Sequence, residues 1–160
     1  MTLMSNLRKT LAVLILAWPL APLAQAPCSA ADAEQFEKIA KAAVAALPRI
    51  NYSTTRRGRF KVSSDQSTGA MEATFSNARR TLFTQTLNLQ ELTPDVAPGC
   101  RLDGRPAAGR PANGLFLQLA CQPPQPTPAC AIVIQPGLNR AGKSGWTYRV
   151  SANRRPASAR

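Results

Sequence analysis

The chain contains no histidine, and only eight of its 160 residues are acidic. Without imidazole, the common Ser-His and Cys-His nucleophiles are excluded. The four cysteines show no C-x-x-C spacing and there is no histidine, so a zinc site is disfavoured as well. No cofactor is implied. Aromatic residues make up 6% of the chain. Only Tyr52 and Phe60 lie near the main basic run, so stacking platforms for nucleic acid are scarce and a nucleic-acid partner is disfavoured. There are no internal repeats.

Only one stretch is apolar for long. Arg8 and Lys9 precede the run Leu11 to Leu23, which ends in Ala24-Gln25-Ala26. A positive start, a short apolar middle and a small-residue A-x-A ending define a secretory signal. A bilayer span needs about 20 apolar residues. This run is shorter and is interrupted by Pro19 and Pro22. The expected organisation is a cleaved signal over 1–26, one domain over 27–152 and a basic disordered tail over 153–160. Cleavage after Ala30 is the alternative, because Pro27 fits an extended protease substrate poorly. The mature chain is expected in the periplasm or outside the cell, with no transmembrane span.

What the sequence has in excess is positive charge. The formal net charge is +12, with twenty basic residues against eight acids. Only Arg8 and Lys9 leave with the signal, so the mature chain stays strongly basic. Such a balance raises polyanions as ligands: lipid A phosphates, anionic lipid or acidic glycan. The bland reading is charge that serves solubility alone. The best basic feature is Arg56-Arg57-Gly58-Arg59 with Lys61. On a strand Arg57, Arg59 and Lys61 share one side, opposite Phe60 and Val62. Arg79 and Arg80 open a later strand, and together these six form a candidate anion-binding stripe.

In an oxidising compartment Cys28, Cys100, Cys121 and Cys130 form two disulfides. The expected pairing is Cys121–Cys130, which flanks a proline-rich turn, with Cys28–Cys100.

Ser29 to Leu47 carries Phe36, Ile39, Ala40, Ala43, Val44 and Leu47 at helical spacing, which predicts one amphipathic helix. Ser29 starts it and Pro48 stops it. From Arg59 the apolar period changes to two. Strands are expected around Phe60 and Val62, over Met71 to Phe75, over Thr81 to Leu92, over Gly114 to Cys121, from Cys130 and from Trp146. Asn77-Ala78-Arg79 predicts a tight reversal, and Pro94 to Asn113 a long surface loop. The expected fold is α+β: one N-terminal helix on an antiparallel sheet of about five or six strands, stabilised by disulfides.

Gly137 to Ser144 matches G-x-x-x-x-G-K-[ST], the phosphate-binding loop of nucleotide enzymes. That loop needs a helix after it, yet Gly145 to Val150 reads as a strand. A glycine-rich hairpin tip is the expected form. A carboxylate-dependent hydrolase built on a pair among Asp65, Glu72, Glu91, Asp95 and Asp103 is a low-weight alternative. The sequence therefore points to a small exported, non-catalytic binding or accessory protein of the cell envelope. An inhibitor or immunity-type partner of a secreted enzyme is the leading alternative.

Overall fold

A computed structural model of the chain describes residues 28–96, 98–108 and 113–152. The expected signal and basic tail lie outside these residues. Helix α1 spans Ala30–Ala46. The Ser29 side chain accepts from the Asp32 amide at 3.0 Å, which caps the first turn. At the other end the Leu47 amide still reaches the Ala43 carbonyl at 3.1 Å, and Pro48 then stops the helix. Phe36, Ile39, Ala40 and Ala43 are fully buried, so the apolar stripe is the face that meets the sheets. Glu34–Lys38 and Glu37–Lys41 lie on the exposed side at 3.5 and 3.8 Å. Exposed pairs of this kind contribute about 0.3–0.5 kcal/mol at most.

A four-residue helix α2 (Tyr52–Thr55) follows, capped by the Asn51 side chain, which accepts from the Ser53 amide at 3.0 Å. Strands β1 (Arg59–Asp65), β2 (Ala70–Ser76) and β3 (Thr81–Asn88) form one antiparallel meander. The predicted reversal at Asn77 is present: its side chain accepts from the amides of Arg79 and Arg80. Direct pairing of Phe60 with Phe75 and of Phe75 with Phe83 puts three rings on the inner face. Strand β3 is shorter than the expected Thr81 to Leu92. Asn88 caps a single turn, α3 (Leu89–Leu92), by accepting from the Gln90 amide.

The second sheet holds β4 (Cys100–Pro106), β5 (Leu115–Cys121), β6 (Cys130–Leu138) and β7 (Ser144–Ala152), in that order. Leu117, Ile132 and Val150 line up across it, as do Leu115, Ile134 and Tyr148. The expected single sheet of five or six strands is therefore corrected to two sheets with seven strands. Part of the error is β4, which falls inside the expected loop Pro94 to Asn113. Its inner side is Leu102 and Gly104, a weak apolar signal. The reason lies in the other sheet. A Cβ on Gly104 would stand 2.1 Å from the Met71 sulfur, so Met71 fills the space that a β4 side chain would otherwise occupy. Strands β1 and β4 lie side by side without forming a ladder, so the two sheets stay distinct.

Aromatic packing and α1 join the sheets. Trp146 of β7 sits 5.6 Å from Phe60, 5.7 Å from Phe75 and 5.8 Å from Phe83. Its indole N–H donates to the Pro48 carbonyl at 2.9 Å, which fixes the chain leaving α1. Gly58 leaves room for this cluster, since a Cβ there would meet the Phe75 ring at 2.2 Å.

The disulfides also differ from expectation. Cys28 bonds Cys130, and Cys100 bonds Cys121. Cys100 and Cys121 are direct partners in the β4–β5 ladder, with Cα atoms 4.0 Å apart. The expected Cys121–Cys130 bond fails because β5 and β6 pair only over Leu115–Leu117 with Ile132–Ile134. Their other ends diverge around the proline-rich link. Cys130 instead faces the core beneath the start of α1. Two disulfides fit an oxidising, extracellular-type environment. Among the described residues no helix is long and apolar enough to cross a membrane.

Non-reducing peptide mapping of the oxidised protein should recover the Cys28 peptide joined to that of Cys130; a Cys121–Cys130 link would overturn the pairing. Replacing Cys28 and Cys130 by alanine should lower stability in urea by roughly 4–5 kcal/mol, the loop-closure value for a cross-link of this span.

Tyr148 gives a second measurement. Its hydroxyl donates to the Glu37 carboxylate, which joins β7 to α1. That bond, followed by partial burial and the nearby negative charge, holds the phenol pKa above its ordinary value. The native state then keeps the proton after the unfolded chain has released it. Stability from this contact is complete below about pH 10 and is lost as pH rises through the raised native value. Tyr148→Phe should therefore be less stable than the wild type at about pH 8, with the gap narrowing above pH 10. A gap that does not change with pH would count against the bond.

Candidate functional site

The strand registers gather positive charge at one end of the first sheet. Arg59 at the start of β1 pairs with Ser76 at the end of β2, and the turn carrying Arg79 and Arg80 leaves from that point. Neighbouring strands lie about 4.8 Å apart. The β2–β3 turn and the beginning of β1 therefore occupy the same end of the sheet. Arg56 is the C-cap of α2, and Arg57 follows in the turn before β1. Asn113 donates its amide to the Arg56 carbonyl at 3.2 Å, which ties this turn to the loop before β5. All five arginines are exposed.

Five of the six residues expected in the anion stripe thus lie at one sheet end. Lys61 lies two residue pairs further along, on the same outer face as Arg59 and opposite Thr74. Arg57 belongs to the turn rather than to the strand. The outer face beside them is rich in hydroxyls: Thr74 and Thr84 are in contact at 3.1 Å, and Ser76 donates to Thr81 at 3.2 Å.

Three further cations at this end escape a sequence reading. Trp146 contacts Phe60, Phe75 and Phe83, so the β6–β7 hairpin reaches the same end as the start of β1. Its tip carries Arg140 and Lys143, both exposed. The Tyr52 amide donates to the Ser144 hydroxyl at 2.9 Å, fastening the hairpin to α2. Arg49 lies just past the end of α1, beside Pro48, whose carbonyl holds Trp146. These links join positions 92 and 98 residues apart. No local pattern could have announced them. The one available signal was the formal phosphate-loop match, which singled out Lys143 for a different reason. In the fold that segment is a hairpin tip: Asn139 accepts from the amides of Ala141 and Lys143, Gly142 takes a positive φ of 74°, and β7 follows where a nucleotide loop would need a helix.

The acids lie elsewhere. Asp32 and Glu34 are in the first turns of α1, whose beginning is fixed to Cys130 at the opposite end. Asp65 closes the β1–β2 turn, where hydrogen bonds from Ser67, first its hydroxyl and then its amide, hold the carboxyl below its ordinary pKa. Glu91 is in α3 and Asp95 follows it. Glu37, Glu72 and Asp103 occupy the middle, and Asp103 pairs with Arg101 at 3.6 Å. Among the described residues, none of Arg49, Arg56, Arg57, Arg59, Arg79, Arg80, Arg140 or Lys143 takes part in an ion pair. One end of the molecule is cationic and lacks acids.

Compared with family models, with curated proteins and with solved structures, the chain gives no match. The site is therefore defined by its geometry alone.

Arginines that support the fold through ion pairs would cost stability when removed. These do not. The combined variant Arg57→Ala, Arg59→Ala, Arg79→Ala, Arg80→Ala should stay within about 0.5 kcal/mol of the wild type per site, the usual range for exposed unpartnered positions. The urea midpoint at fixed slope measures this; a large drop would make the cluster structural.

Proposed function

We propose that the chain is an exported, non-catalytic accessory protein of the cell envelope, periplasmic or secreted, that binds a polyanion through its cationic end. The ligand class is a surface or polymer rich in phosphate or carboxylate groups, such as lipid A phosphates, anionic lipid or acidic glycan. One observation carries this reading: eight exposed cations from four separate segments converge on one end of the fold, and no acid stands among them.

Net charge alone favours solubility and nonspecific adhesion. Segregated charge does more. Guanidinium groups bind phosphate and carboxylate oxygens in pairs, and several together create a strong local positive potential. With no neighbouring carboxylates to neutralise them, these groups remain available to a partner. The Thr81 hydroxyl on the adjoining face accepts from Ser76 and keeps its own proton to donate to the same ligand. The two disulfides and the Arg8-Lys9 signal pattern agree with a place outside the cytoplasm.

The test is retention on heparin and on immobilised lipid A across a salt series. The wild type should bind both and elute with a steep salt dependence, because binding releases counterions. Each arginine removed from the set Arg57, Arg59, Arg79 and Arg80 should reduce the slope of log affinity against log salt by about 1. Lys38→Ala and Arg149→Ala, at other exposed sites, serve as controls for net charge. Equal losses in cluster and control variants would reduce the effect to overall charge and overturn the proposal.

A further inference from the structure

Beside the cationic end, α1 and the β6–β7 hairpin border an open cleft of about 670 Å³. Val44, Leu47, Ile50 and Trp146 line it, together with the cations Arg49 and Lys143. Two bonds fasten its borders to each other: Trp146 N–H to the Pro48 carbonyl and Tyr52 N–H to the Ser144 hydroxyl. Its apolar floor is part of the core, since Leu47 is 7% exposed and Trp146 packs on the phenylalanine cluster. The two cations that line it are exposed and form no ion pair among the described residues. An open cleft of this size, within the roughly 300–1,000 Å³ typical of small-ligand sites and lined by apolar and polar groups side by side, fits a hydrocarbon chain that carries a polar head. Two unpaired cations in its lining select a negative head.

We infer that this cleft binds a single-chain anionic amphiphile, with the alkyl chain along Val44, Ile50 and Trp146 and the carboxylate or phosphate between Arg49 and Lys143. The inference rests on the polyanion reading and narrows it: the cationic end meets an anionic lipid surface, and the cleft accepts one acyl chain from it. The Ser144 hydroxyl accepts from Tyr52 and still carries a proton to donate to the head group. Neither half of the site suffices. An apolar slot alone would take neutral alkanes equally well, and the two cations alone would take inorganic phosphate.

The test uses the full chain carrying Trp18→Phe, which leaves Trp146 as the single tryptophan. Its fluorescence is titrated with octanoate, decanoate and dodecanoate, all below micelle formation, and with inorganic phosphate and dodecanol. Affinity should rise about fourfold per added methylene, the value for burying a CH₂. Arg49→Ala and Lys143→Ala should each weaken dodecanoate about tenfold, as expected for loss of a charged hydrogen-bond donor. Ile50→Ser should weaken dodecanoate while heparin retention is unchanged, which shows at once that the variant is folded. Affinity that ignores chain length, or dodecanol binding as tightly as dodecanoate, would overturn the site. With heparin retention intact, either result leaves the broader polyanion reading standing; with retention also absent, both fail.

Discussion

The structure depends on the contact between Trp146 and the three phenylalanines of the first sheet. No hydrogen-bond ladder crosses from β1 to β4, so each sheet by itself would present one uncovered apolar face. The aromatic cluster gives both sheets a common interior, and pairs at these separations add about 0.5–1.5 kcal/mol each beyond simple burial. The same indole fixes the end of α1 through the Pro48 carbonyl. Helix, first sheet and second sheet therefore meet at one side chain.

That arrangement also explains where the cations go. The aromatic cluster occupies one end of the core, and the segments that close over it are the α1–β1 connection, the β2–β3 turn and the β6–β7 tip. Each is a surface connection with arginine or lysine in it. Covalent closure is at the other end, where both disulfides lie. A connection that packs over rings needs no carboxylate, and none is found there. The end that carries the proposed ligand is built by side-chain packing, and the end away from it by sulfur.

Much of this was legible in the residues, and what was not has identifiable causes. The helix could be read because Phe36, Ile39, Ala40 and Ala43 repeat at its own period and Ser29 and Pro48 mark its limits. The strands of the meander could be read because Phe60, Met71, Ala73 and Phe75 alternate with polar residues. Strand β4 could not, since Gly104 gives its inner position to Met71 of the other sheet, and no local pattern records a residue supplied from elsewhere. Cysteine pairing is not legible, because proximity along the chain does not give proximity in space: β5 and β6 part before reaching Cys121 and Cys130. At the candidate site Arg56, Arg57, Arg59, Arg79 and Arg80 stood out as runs. Arg49 and Lys143 did not, because each joins the cluster only through tertiary bonds to Pro48 and Ser144.

The disulfides are nested: the bond between Cys100 and Cys121 lies wholly inside the loop closed by Cys28 and Cys130. A chain that crosses a membrane amino end first, and is oxidised as it emerges, exposes Cys100 to Cys28 long before Cys130 arrives. Oxidation in order of emergence would then close a Cys28–Cys100 ring before Cys121 and Cys130 are present. Escape requires thiolate attack on that early bond and exchange through mixed disulfides. A chain exported as proposed above would then need an isomerase as well as an oxidant to mature.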